Sequence, residues 1–249
     1  MVSAFALAAA ALHHAGGIVH ERPASRPGAR GYPAPPDAGM SGTGLVADDL
    51  YLMAHDDRNG KPHLQARALG IGLAGALLAE LMLAGWIGLR RDGAVMSASG
   101  VPADMVMRHV LEQIAGEPGP QPVQAWLRFL ARRAAGDVAP RLEQAGYLEH
   151  VGSWIPWNQG RWIPVNPNWA FAPMLRVQSA LDPARPVTPY AAALTGLAVA
   201  CGLLFRLDQY QSRAGRSVED AVAALAPSLQ ELITQTQTAV DSTVLSHRM

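Results

Sequence analysis

Three kinds of residue in this 249-residue chain have chemistry to offer: acidic pairs, arginines at helical spacing, and clustered tryptophans. Asp48-Asp49 and Asp56-Asp57 could in principle hold a cation between carboxylates. The second pair runs into Arg58-Asn59-Gly60, which a solvated turn explains more simply. His55, His63, His109 and His150 have no evident Ser or Asp constellation around them, although partners adjacent only in space would escape a reading of this kind. His13, His14 and His20 have little acidic support for a metal. There is no G-x-G-x-x-G opening a βαβ unit, no Walker sequence, no G-x-S-x-G elbow and no H-E-x-x-H. Cys201 is the only cysteine, which rules out an intrachain disulfide and a multi-cysteine zinc site. The expectation is a protein that is not an enzyme, with no metal and no cofactor.

The tryptophans are the most unusual local feature. Trp154, Trp157, Trp162 and Trp169 put four of the six within sixteen residues, with Ile155 and Ile163 among them. Asn158-Gln159-Gly160 is a hairpin-type turn signal. Two readings stand. Large aromatics supply burial, so the hairpin could pack on a core. Tryptophan is also favoured at membrane interfaces, and Arg161 beside the turn would suit anionic headgroups. Pro156 and Pro164 argue against a regular ladder over the whole segment.

Composition narrows the class. Apolar residues make up 49% and charged ones 16%, enough apolar material for a core and too little charge for disorder. Lys+Arg (20) balances Asp+Glu (20), against a general nucleic-acid binder.

The elements that would position these residues read mainly as helices. Leu69–Ile87 and Tyr190–Phe205 are long apolar stretches, but Glu80 sits inside the first and the second is short for a span. Both read as buried core helices, the first lined with small residues (Gly70, Gly72, Ala74, Gly75) that allow close approach. Val123, Trp126, Leu127 and Leu130 form an apolar helical face, with Gln124, Arg128 and Arg132 on the polar side. Helices are expected near 68–86, 104–115, 122–134, 135–145, 170–181 and 189–207, and a strand at Ala94–Ser97. Gly146 reads as a C′ glycine, Thr188 and Ser217 as N-caps, and Pro227 as a divider of the C-terminal helical region. Residues 1–39 read as a separate tail: a short apolar run from Val2 to Leu12, a candidate signal or anchor without a basic n-region, then a proline-rich stretch expected to be disordered. Met40 could be the true start.

Several segments in order resemble the Golgi phosphoprotein 3 family. They are the acidic, leucine-rich opening from Leu45 to Asp57, then Gly72-Leu73-Ala74-Gly75 leading to Glu80-Leu81 and Gly85, then Gln124-Ala125-Trp126-Leu127, then Leu142 to Gly146 and Leu148. The likeness covers about residues 45–207, and the changed pocket below suggests a bacterial-type member. It implies a mainly α, single compact helical domain over 45–245 with a protruding β-hairpin. It also implies a peripheral membrane protein that binds phosphatidylinositol 4-phosphate.

The family's headgroup positions fall on Gln65, Ala74, Arg132 and Ala135, of which only Arg132 keeps its basic chemistry. Arg67 and Arg133 are auxiliary basic candidates. The family's membrane-inserting hairpin aligns with Trp154, Ile155, Trp157, Arg161 and Trp162. The expected partner is an anionic phospholipid surface, phosphatidylinositol 4-phosphate or another, met by a cytoplasmic protein with a weakened headgroup pocket. The alternative is a soluble protein–protein interaction module with no membrane role. No nucleic-acid partner is expected.

Overall fold

Two helices of nearly pure apolar composition set the architecture. In the computed structural model, which describes residues 43–98, 100–152, 160–203 and 215–245, these are α2 (Ala66–Leu83) and α7 (Pro189–Ala200). A helix that is apolar all round must be enclosed, and both are. From Ala68 to Met82 every residue of α2 is buried, and α7 is buried from Ala191 to Ala198. One helix, α2, is long and apolar enough to cross a membrane by length and composition, but in this fold it is the central core helix.

Small residues let the neighbours close in. A Cβ added at Gly72 would collide with the Cys201 sulfur, and one at Gly75 would lie 2.6 Å from Thr236 Oγ1. At Gly196 it would lie 2.7 Å from Ile233 Cδ1. The C-terminal helix therefore packs directly on both core helices.

The remaining described helices are α1 (Val46–Met53), α3 (Met105–Gly116), α4 (Val123–Leu130), α5 (Ala134–Gln144), α6 (Pro167–Leu181), α8 (Val218–Ala223) and α9 (Pro227–Leu245). Together they make a mainly α, single helical domain with short antiparallel ribbons. The anticipated caps are in place. Thr188 Oγ1 accepts from Ala191 N (3.2 Å) and Ser217 Oγ from Asp220 N (3.0 Å). At the end of α5, Gly146 takes φ +80°, with Tyr147 N donating to Leu142 O and Gly146 N to Glu143 O. That is the hydrogen-bond pattern of a Schellman stop.

Two expectations are extended and two change. The Leu45–Asp57 opening contains a helix, α1, whose every residue is buried. The Ala94–Ser97 strand is β2 (Val95–Ser97) and has a partner, β1 (Ile87–Leu89). The aromatic hairpin starts earlier than the tryptophan run: β3 (Leu148–Val151) pairs with β4 (Arg161–Pro164) in the register Leu148↔Pro164 to Val151↔Arg161. Finally, α7 ends at Ala200, followed by the positive-φ Gly202. Residues 1–42, and with them the tail and its histidines, lie outside the described residues.

Candidate functional site

The headgroup-equivalent positions are carried by two helix ends that touch. Gln65 is the N-cap residue of α2 and Arg67 lies in its first turn, both exposed. One turn further, Gly70 packs so closely on the end of α4 that an added Cβ would collide with the Ala131 carbonyl oxygen. Arg132 and Arg133 follow Ala131 directly and are exposed.

Consecutive residues of one helix point about 100° apart. Here the chain leaves α4 at Ala131, and Arg133 becomes the N-cap residue of α5, so both side chains stand at the joint. Arg133 makes no side-chain cap bond, and the positive end of the α5 dipole adds to the arginines, offset in part by Asp137 in its first turn. Arg67, Arg128, Arg132 and Arg133 have no ion-pair or hydrogen-bond partner among the described residues.

The other two equivalent positions do not join them in a pocket. Ala135 is half-buried and uncharged. Ala74 is 0% exposed, enclosed in the core. Nine residues of helix carry it about 13 Å along the axis from Gln65. The structure thus brings Gln65, Arg67, Arg132 and Arg133 to one end of the domain and leaves Ala74 inside it.

The hairpin is anchored at its base. Leu148 and Pro164 are buried, and the Trp162 ring lies against His150 with centroids 4.6 Å apart. Trp162 also packs on the core, so it is half-buried, while Arg161 and Val151 at the last described pair are exposed. Trp169 packs on Tyr147, centroids 5.3 Å apart. Trp154, Ile155 and Trp157 lie outside the described residues.

The Asp56–Lys61 turn has the expected geometry, with Asp56 Oδ1 accepting from Arg58 N and Asn59 N at 3.0 Å. It is not merely solvated, however. Gly60, at φ +64°, sits so close to β4 that a Cβ there would collide with the Trp162 carbonyl oxygen.

The cluster that sequence reading missed is internal. Arg141 of α5 spans three carboxylates. Its Nε donates to Asp48 Oδ1 (2.8 Å), its Nη1 and Nη2 to the two Glu80 oxygens (3.1 and 3.2 Å), and its Nη1 to Asp104 Oδ1 (3.3 Å). Ala47 N donates to Glu80 Oε1 at 2.7 Å, and Asp104 also caps α3 through Met107 N. Beside them Asp49 accepts from Arg176 and from the Tyr190 hydroxyl.

Burial pushes Glu80 up to about 7 against the pull of Arg141, and raises Asp48 and Asp49 in the same way. The Asp48-Asp49 pair is therefore spent on arginines rather than on a cation. Among the described residues no group of three or more His, Cys, Asp or Glu side chains is placed to hold a metal ion. The costly position of Glu80 was visible in sequence, but its partner 61 residues away was not.

The family model for Golgi phosphoprotein 3 (GPP34) matches residues 46–240. The chain belongs to the Golgi phosphoprotein 3 family. The match begins at α1 and runs through most of α9, beyond the 45–207 stretch read from motifs, so the C-terminal helix is part of the Golgi phosphoprotein 3 domain. Both the joint arginines and the Arg141 cluster lie within the matched span. No curated protein sequence gives a significant match.

Proposed function

We propose that this Golgi phosphoprotein 3 family member is a peripheral membrane module that binds anionic phospholipid with little headgroup selection. The observation that carries the reading is the group of exposed arginines where two helix ends meet, Arg67, Arg132 and Arg133, which have no partner among the described residues. A selective phosphate site needs several charge-assisted hydrogen bonds converging on one group. With Ala74 in the core and Ala135 uncharged, Arg132 alone keeps the family's headgroup chemistry. Arg67 and Arg133 supply general positive charge, and the hairpin, with Arg161 exposed at its last described pair, supplies a second contact to a cytoplasmic leaflet.

The test is flotation of the full chain with neutral vesicles, with phosphatidylserine vesicles and with phosphatidylinositol 4-phosphate vesicles. Binding to both anionic kinds at similar strength, reduced by Arg132→Ala and by added salt, supports the reading. Tight binding confined to phosphatidylinositol 4-phosphate would point to a rebuilt pocket that uses Arg67. A chain that stays with the soluble fraction in every case is a soluble interaction module, for which the exposed Phe171 and Leu175 on α6 provide an apolar surface.

A further inference from the structure

Besides Phe171 and Leu175 on α6 and the valines beside the hairpin, large apolar side chains stand exposed at two further places among the described residues. Val101 and Met105 are 70% and 75% exposed, and the nearby Arg108 guanidinium is taken up by the Pro102 and Ala103 carbonyls. Phe129 is 47% exposed in the last turn of α4, edge-on to the buried Trp126 with centroids 5.7 Å apart and planes at 90°. That contact fixes the ring while leaving its outer edge in solvent.

Arg128 precedes it in α4, and Arg132 and Arg133 follow just past the end of that helix, at the joint with α5. All three are exposed, and none has a partner among the described residues. The residues between them are small. Ala131 and Ala135 offer no competing acceptor, and a Cβ at Gly136 would meet nothing within 4 Å.

We propose that Phe129 inserts into the interface of an anionic bilayer, with Arg128, Arg132 and Arg133 as a collar on the surrounding headgroup phosphates. The inference rests on the peripheral-membrane reading above and adds an insertion point distinct from the hairpin. An exposed apolar edge with a local excess of positive charge beside it, three arginines against Asp137, matches the layering of a lipid leaflet, with acyl chain below and phosphate above. A protein partner would have to present an apolar socket rimmed with carboxylates to do the same.

The test uses Phe129→Cys carrying an environment-sensitive fluorophore. Cys201, the chain's only cysteine, is buried and stays unlabelled. Phosphatidylserine vesicles should shift the emission to the blue, neutral vesicles should not, and the same label at Met105→Cys should not move. Without a label, Phe129→Ser should lower vesicle affinity about tenfold, Phe129→Trp should restore it, and Arg128→Gln should weaken it and flatten its salt dependence. If the parent chain floats with anionic vesicles but the label at position 129 stays unshifted and Phe129→Ser floats like the parent, this inference is wrong while the peripheral reading stands. If the parent does not float at all, both fall.

Discussion

The guanidinium of Arg141 is forked across the Glu80 carboxylate, Nη1 to Oε2 at 3.1 Å and Nη2 to Oε1 at 3.2 Å, although 61 residues separate them in the chain. Both side chains are almost wholly buried, and the same guanidinium also holds Asp48. One cation thereby ties α1, α2 and α5 together and reaches the cap of α3 through Asp104.

Removing that cation leaves carboxylates buried without their counter-charge. Arg141→Met should therefore destabilise the domain by about 3–5 kcal/mol, read as a drop in the denaturation midpoint. The double variant Arg141→Met with Glu80→Leu should recover part of that loss. Equal stability of parent and single variant would mean that the fork contributes nothing net.

Stability should depend on pH through two opposed groups. Glu80 is raised from 4.5 to about 7 by burial, so its contribution is full below the unfolded value and is lost as pH rises through about 7. Asp48 and Asp49, raised for the same reason, carry the same sign. His55 is lowered from 6.5 to about 4 by burial, so its contribution is present above 6.5 and is lost as pH falls through about 4. Glu80→Gln should tilt the stability profile toward rising with pH between these values, and His55→Asn should tilt it toward falling. Chemical denaturation at stepped pH reads both, and identical slopes in all three proteins would contradict the assignment.

Two glycines should respond in opposite directions. Gly70→Ala drives a methyl into the Ala131 carbonyl oxygen where α2 crosses the end of α4, costing about 1–3 kcal/mol. Gly136→Ala adds a methyl in open space within α5 and should stabilise by about 0.5–1 kcal/mol. Thermal melts of the two variants check both signs.

The hairpin tryptophans should separate into two roles. Trp162 is half-buried against the core and His150, so Trp162→Ser should lower the melting temperature. Trp157→Ser should leave melting unchanged and reduce the blue shift of tryptophan fluorescence on adding anionic vesicles. Unfolding of both variants would mean that both rings belong to the core.

The proline-rich stretch before Met40 has little apolar surface to bury. A chain beginning at Met40 should melt at the temperature of the full chain. A large drop would show that the tail packs on the domain.

Local pattern determined most of the elements. The apolar runs around Leu73 and Leu194, the amphipathic face from Val123 to Leu130, the caps at Thr188 and Ser217 and the stop at Gly146 act over one or two turns of helix, so composition and spacing suffice to read them. The family could also be read from motifs in order, because such motifs are runs of neighbours.

What tertiary structure alone decided lies between residues far apart in the chain. Asp48 and Asp49 read as an acidic pair that could hold a cation until Arg141 and Arg176 arrive from other helices. Ala74 carries two readings, a small residue of a core helix and a family headgroup position, and the packing of α7 and α9 on α2 decides for the core. The first hairpin strand moved from the tryptophans to Leu148–Val151 because pairing register depends on which residues the base can bury. Side-chain burial and charge pairing depend on what the rest of the chain brings to the same place, and spacing along the sequence does not encode that directly.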